Sequence, residues 1–238
     1  MRGRCVKRAF RAWLLAASTL AGASASAQEP DLIFSSTRIE LDGGTSNRGQ
    51  FVGNWVGDGW IGGDYNRFWW KTKGETAGRT LESGDLQLLY SHQIAPFWDL
   101  QAGYRREFRP SRANYGVIAL LGLAPYWVET DFEVFLGGPG KVGGRLRLEH
   151  DLLWTQRIVT RPELTIDWST GNDRRNGQGA GLRRVELELQ TRYEIAREFA
   201  PYVAVRYVRE FGQTARLTRK DGRDPQSFVF SLGLRLVF

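Results

Sequence analysis

Beyond its first 27 residues the 238-residue chain contains no cysteine and no methionine, because Cys5 and Met1 are the only ones it has. An exported form therefore has no disulfide framework and must be held together in some other way. Histidine is scarce (His92 and His150), and only five lysines occur, so the cations are nearly all arginine. No segment after residue 27 approaches the ~20 consecutive apolar residues that a spanning helix needs, which excludes a helical membrane protein. Mean hydropathy is low, at −0.39, yet aromatic residues make up 13% of the chain. That combination suits a one-sided β-structure, either a membrane barrel or a soluble sandwich.

The N-terminus supplies an address. Residues 1–11 are basic, residues 12–23 (AWLLAASTLAGA) are small and apolar, and Ala25-Ser26-Ala27 fits the small-x-small cleavage rule. This is a secretory signal peptide over 1–27, with cleavage expected before Gln28. Residues 28–33 then form a short periplasmic leader and 34–238 the folded domain. Arg2, Arg4, Lys7, Arg8 and Arg11 leave with the peptide and no acid does, which leaves 28 basic against 26 acidic residues, a net charge of +2. The high isoelectric point is largely a targeting charge, and nucleic acid is not an expected partner.

After residue 33 the chain alternates with period two between Gly-, Pro-, Asn- and Asp-rich breaks. In 185–195, for example, Val185, Leu187, Leu189, Thr191, Tyr193 and Ile195 share one face, and Glu186, Glu188, Gln190, Arg192 and Glu194 the other. A helix would mix these sets, whereas a strand separates them. Twelve strands are expected, at 34–41, 50–57, 60–73, 84–94, 97–108, 115–123, 126–136, 142–152, 158–169, 184–195, 201–210 and 227–238. Many approach the ~9–11 residues that cross a bilayer at a tilt. Connections alternate between short (95–96, 124–125, 153–157, 197–200) and long (74–83, 109–114, 137–141, 170–183, 211–226), the asymmetry of outer-membrane barrels with short periplasmic turns. The expected fold is thus all-β: a closed antiparallel transmembrane barrel of about twelve strands in the cell outer membrane of a Gram-negative bacterium.

Two local patterns support this. Ala95-Pro96-Phe97, Ala124-Pro125-Tyr126 and Ala200-Pro201-Tyr202 repeat a Pro-aromatic pair on the short-turn side. There the proline should start a strand and the ring should sit at the membrane interface, joined by Trp98, Trp127 and Trp154. The final strand places Phe228, Phe230, Leu232, Leu234, Leu236 and Phe238 on one face. A terminal aromatic after alternating apolar residues resembles the recognition strand read by the barrel-assembly machinery. An edge this hydrophobic invites aggregation unless it closes against the first strand.

The polar faces carry charge in blocks: Glu129, Asp131 and Glu133; Arg145 and Arg147 with Glu149 and Asp151; Arg161, Glu163 and Asp167; Arg184, Glu186, Glu188, Arg192 and Glu194; then Arg206 and Arg235. In a bilayer these must face the lumen, since a midplane Arg on the lipid face costs ~2–4 kcal/mol. Two readings stand, a network that fills and stiffens the barrel and a network that lines a polar conduit. Planar bidentate arginine suits the first.

Several stretches resemble the copper-resistance protein B family of outer-membrane proteins. These are GWIGGDYNRFWWKTKGE (59–75), LYSHQIAPFWDLQAGYRRE within 85–107, GLAPYWVETDFEVFLG (122–137), RLRLEHDLLWTQRIV (145–159) and RYEIAREFAPYVAVRYVREFGQTA (192–215). The resemblance implies a barrel tied to copper tolerance, embedded in outer-membrane lipid and acting with periplasmic copper-handling proteins. Members of that family carry a Met- and His-rich segment ahead of the barrel, to which copper holding is ascribed. In this sequence Gln28–Ile33 is all that stands between the signal peptide and the first strand. Copper(I) prefers thiolate and thioether, and copper(II) accepts imidazole and carboxylate. The candidate metal ligands are therefore His92, His150 and the acids, copper is expected to be held weakly, and no organic cofactor is expected. His92 falls on an apolar face with Leu86, Leu88 and Tyr90, and His150 on one with Leu146, Leu148 and Leu152. They lie four strands apart, ~19 Å along the wall, too far to share an ion.

Three functions compete: a non-enzymatic outer-membrane component of copper resistance, acting as conduit or docking barrel; a general polar pore without a copper role; and a barrel enzyme acting on lipid. The last needs a nucleophile with a histidine base in reach. Ser91 adjoins His92, but neighbours in a strand point to opposite faces, so a non-enzymatic role is expected.

Overall fold

The computed structural model describes residues 32–137, 142–172 and 179–238. The signal peptide and most of the leader lie outside them. The strands are β1 (Phe34–Ser46), β2 (Phe51–Gly62), β3 (Asn66–Ala77), β4 (Thr80–Ala95), β5 (Trp98–Arg109), β6 (Ala113–Ala124), β7 (Val128–Leu136), β8 (Val142–Glu149), the two-residue β9 (Leu152–Leu153), β10 (Ile158–Ser169), β11 (Gly181–Tyr193), β12 (Phe199–Glu210) and β13 (Gln226–Val237). Each long strand pairs antiparallel with the next, β9 leans on β10, and β13 closes onto β1 from Arg38 opposite Val237 to Ser46 opposite Val229. The result is a closed barrel of the twelve long strands, as the alternation predicts.

The terminal strand sits in that seam. Phe228, Phe230, Leu232, Leu234 and Phe238 point outward and are 43–70% exposed, while Val229 and Ser231 are buried inside. The backbones of Thr37 and Phe238 exchange two hydrogen bonds of 2.9 Å, which fasten the last residue to the first strand. The seam also explains a glycine. A Cβ on Gly44 would lie 2.0 Å from the Phe230 carbonyl oxygen, a backbone atom that cannot swing aside.

Three expectations need correction. The break expected near residues 58–59 is absent, because β2 runs on to Gly62. Asp58 looks like a turn residue but points inward, where Arg38 holds it at 2.9 Å. The long loop expected at 74–83 is a tight hairpin at Gly78-Arg79, with Gly78 at φ +61. Its glycine-rich flanks are strand: Gly74 faces the Trp55 ring so closely that a Cβ would clash. The length asymmetry is therefore carried by the connections after β10 and β12. The latter holds a helix, α1 (Gly212–Lys220), that the alternation did not anticipate. Third, Tyr202 is not at the interface. β12 starts at Phe199, so Pro201 lies within the strand and Tyr202 turns inward, 5% exposed, with its hydroxyl donating to Asp42 at 3.3 Å. Phe199 takes the outward place.

In the other two Pro-aromatic turns the rings are exposed at the rim as expected, while Pro96 and Pro125 sit in the turn and not at a strand start. Phe97, Tyr126 and Trp127 are 67–88% exposed, and all three adopt left-handed backbone (φ 61 to 66). Such a conformation costs ~1–3 kcal/mol in a non-glycine residue.

Candidate functional site: the lumen

Because strand residues alternate, twelve strands aim their polar faces at one enclosed volume. On β7, β8, β10 and β11 the register stacks them in rows. Glu129, Glu149, Glu163 and Glu188 lie side by side; above them run Asp131, Arg147, Thr165 and Glu186, then Glu133, Arg145, Asp167 and Arg184. The third row alternates in sign and pairs laterally, as with Arg145 and Asp167 at 2.8 Å, and in the second Arg147 lies 3.3 Å from Asp131. The first is a row of four carboxylates. Directly opposed like charges destabilise a sheet, so this row needs cations from elsewhere.

Cations reach part of this row, and the rows above it, from neighbouring strands and from across the lumen. Arg38 on β1 reaches Glu149 on β8 at 3.8 Å. Arg161 on β10 lies 2.8 Å from Glu40 on β1 and 3.6 Å from Glu149. Lys71 on β3 donates to Asp131 at 2.8 Å and Glu133 at 3.3 Å on β7. Lys73 on β3 approaches Glu186 on β11 at 3.8 Å, and Arg206 on β12 pairs with Glu188 at 2.6 Å, Glu186 at 3.1 Å and Asp42 at 3.7 Å. Arg38 with Glu149, Arg161 with Glu40, Lys71 with its two acids and Lys73 with Glu186 join strands four or five places apart in the twelve-strand ring, so each of these is a strut through the interior, whereas Arg206 with Glu188 and Arg161 with Glu149 join neighbouring strands.

Several spaces remain between these side chains, and they share lining residues. A basin of about 620 Å³ lies at the short-turn end, lined by Arg67, Trp69, Gln93, Asp99 and Glu129 among others. The central space, among Glu40, Lys71, Glu133, Arg147 and Arg161, is only about 70 Å³. About 160 Å³ remains near the long-loop end, beside Glu75, Arg105, Arg183 and Glu186. Below the basin, Arg192 grips Asp151 with two hydrogen bonds, 2.6 and 3.0 Å. Partial burial pushes the Asp151 carboxyl up, but this clamp and its charge hold it below the usual range.

The eight charges singled out from sequence (Glu129, Asp131, Glu133, Arg145, Arg147, Glu163, Glu186 and Glu188) all line these spaces. Lys71, which pairs with Asp131 and Glu133, was missed, as were Arg38 and Glu40, which pair with the lumen charges Glu149 and Arg161. Glu40 lies in a strand with weak alternation, and nothing local marks Lys71, whose acids are 60 and 62 residues away.

The two histidines occupy different surroundings. His92 is exposed on the outer face of β4, with Nδ1 2.8 Å from Asn66 Oδ1. His150 lies just beyond the end of β8 and is half-buried. The chain leaves strand geometry after Glu149, and His150 lines a small pocket with Glu129, Glu149 and Asp151, its Nδ1 3.0 Å from the Trp127 carbonyl oxygen. Four strand positions separate them in the sheet order. Among the described residues, no group of three or more His, Cys, Asp or Glu side chains is placed to hold a metal ion. The carboxylates nearest His150 are engaged by arginine: Glu149 by Arg38 and Arg161, Asp151 by Arg192. The donor set fits an ion-pair network better than a copper centre.

Residues 34–238 match the family model described as "Copper resistance protein B precursor (CopB)". The copper resistance protein B of Escherichia coli is 38% identical over 186 residues, 78% of this chain and 63% of that protein. A copper resistance protein B homolog of Pseudomonas syringae pv. tomato is 35% identical, covering 77% of this chain and 63% of its own length. The chain thus spans under two thirds of these relatives. Among solved structures, the NanC porin superposes with a TM-score of 0.57 at 13% identity, covering 83% of this chain and 98% of the porin. The KdgM porin gives 0.52 at 11% identity, covering 84% and 99%. At these identities the likeness shows the barrel fold alone.

Proposed function

Since this chain belongs to the copper resistance protein B family, we propose that it is a non-enzymatic outer-membrane component of copper resistance that works as a closed docking barrel. The observation that carries the closed state is the set of struts through the lumen, above all Lys71 to Asp131 and Arg161 to Glu40. Each joins walls several strands apart across a central space of about 70 Å³, little more than a few waters. An open conduit would keep its charges on the wall and leave the axis to solvent. The basin of about 620 Å³ at the short-turn end, which faces the periplasm in this reading, offers a concave surface to a periplasmic copper-handling partner. The barrel itself holds copper weakly, because its imidazoles stand apart and most of its lumen carboxylates are committed to arginine or lysine.

Growth on copper tests this. A strain deleted for the protein should lose tolerance to copper while keeping its tolerance to zinc and cobalt. The wild-type gene should restore growth, and so should His92→Ala with His150→Ala. Normal growth of the deletion strain on copper would remove the copper role and leave a general polar barrel. Failure of the double variant alone would show that the histidines are the metal ligands.

A further inference from the structure

We propose that the rim of the barrel over β3–β6, at the long-loop end, is a docking surface for a phosphorylated lipid headgroup of the outer leaflet; this rests on the outer-membrane reading above. The starting point is Arg106. Its chain neighbours Arg105 and Glu107 pair with each other inside the lumen at 2.8 Å. Alternation therefore turns Arg106 outward, exposed on the wall between Tyr104 and Phe108. Across the sheet it faces Leu86 on β4 and Asn114 on β6, neither of which can neutralise it. A guanidinium on the lipid side is tolerated near the interface and at no greater depth, which fixes the level of this rim relative to the headgroups.

Two more cations stand above it. Arg79 occupies the β3–β4 hairpin and Arg112 the β5–β6 connection, and both are exposed. Among the described residues, neither these two nor Arg106 forms an ion pair. Glu82, the acid exposed on the same rim, pairs with none of them. Adjacent hairpins thus gather three uncompensated arginines around one stretch of lipid-facing wall. Below them the outward row Leu88, Tyr104, Gly116, Leu136 has a notch: nothing lies within 3.8 Å of where a Gly116 side chain would begin. The Tyr104 hydroxyl is pinned to Asn114 at 2.6 Å, which steadies one wall of the notch. An anionic headgroup beneath the arginines with an acyl chain in the notch satisfies both features. Arginine suits phosphate through its planar fork of donors. The opposite wall differs: Arg209 on β12 already lies over the Phe211 ring at 5.3 Å.

The test uses the folded full barrel in phosphatidylcholine vesicles containing either diphosphoryl lipid A or the same lipid without phosphates, with bound lipid counted by native mass spectrometry. Wild type should prefer the phosphorylated lipid. Arg106→Gln with Arg112→Gln should weaken that preference roughly 30-fold, two cations each worth about fivefold near an anionic surface. Arg106→Lys should retain most of it, Arg209→Gln should change nothing, and millimolar inorganic phosphate should not compete. Heat-modifiable migration confirms that each variant is folded. Equal binding of the two lipids, or an equal loss in Arg209→Gln, would overturn the proposal, and full competition by inorganic phosphate would convert it to a free-anion site. A wild-type barrel that never inserts into either vesicle would instead remove the outer-membrane reading on which it rests.

Discussion

Phe238→Asp is expected to lose most of the folded barrel. The terminal ring is 70% exposed on the outer wall, the last of an apolar row from Phe228. Its backbone closes the seam to Thr37 through two hydrogen bonds. A carboxylate there puts charge on the lipid side at the point where the sheet must close, and it spoils the apolar alternation that the assembly machinery is expected to read. Each ~1.4 kcal/mol lost is tenfold in the equilibrium, so folded yield should fall by roughly tenfold or more. Heat-modifiable gel migration of envelope fractions measures it. Normal yield from Phe238→Asp would show that the closing strand does not depend on its last residue.

The second large effect concerns the struts. Asp131→Arg with Glu133→Arg strips Lys71 of both its partners and sets two new cations beside it, with Arg147, once 3.3 Å from Asp131, close by. Breaking a buried pair costs ~3–5 kcal/mol because the surviving charge is left without compensation. Urea unfolding should therefore show a loss of at least that order, larger than any change in metal tolerance among the molecules that still fold. An intact barrel with selectively reduced copper tolerance would favour a conduit through this part of the lumen.

How much of this was legible in the sequence follows from which forces are local. Lipid outside and charge inside impose period two on every strand, so the twelve strands, the outward face from Phe228 to Phe238 and the inward charges on β7 to β11 could all be read. The errors fall where a residue type has two uses. Asp58 and most of the Gly- and Glu-rich run over 74–83 read as turns but are strand, broken only at Gly78-Arg79, because a polar lumen accepts the residues that a solvent loop does. Tyr202 read as a girdle residue because a strand start cannot be placed within two positions, and a one-residue slip exchanges inside for outside. Strut partners such as Arg161 and Glu40, 121 residues apart, were invisible for a different reason. Strand number and stagger together decide who meets across the interior, and no local pattern encodes both.

The closed lumen is the central claim, and conductance of the purified wild-type barrel in a planar bilayer tests it most directly. The struts predict insertions that are silent at moderate voltage, with steady conductance appearing only after Arg161 and Lys71 are replaced by alanine. Steady porin-like steps from most wild-type insertions would contradict it.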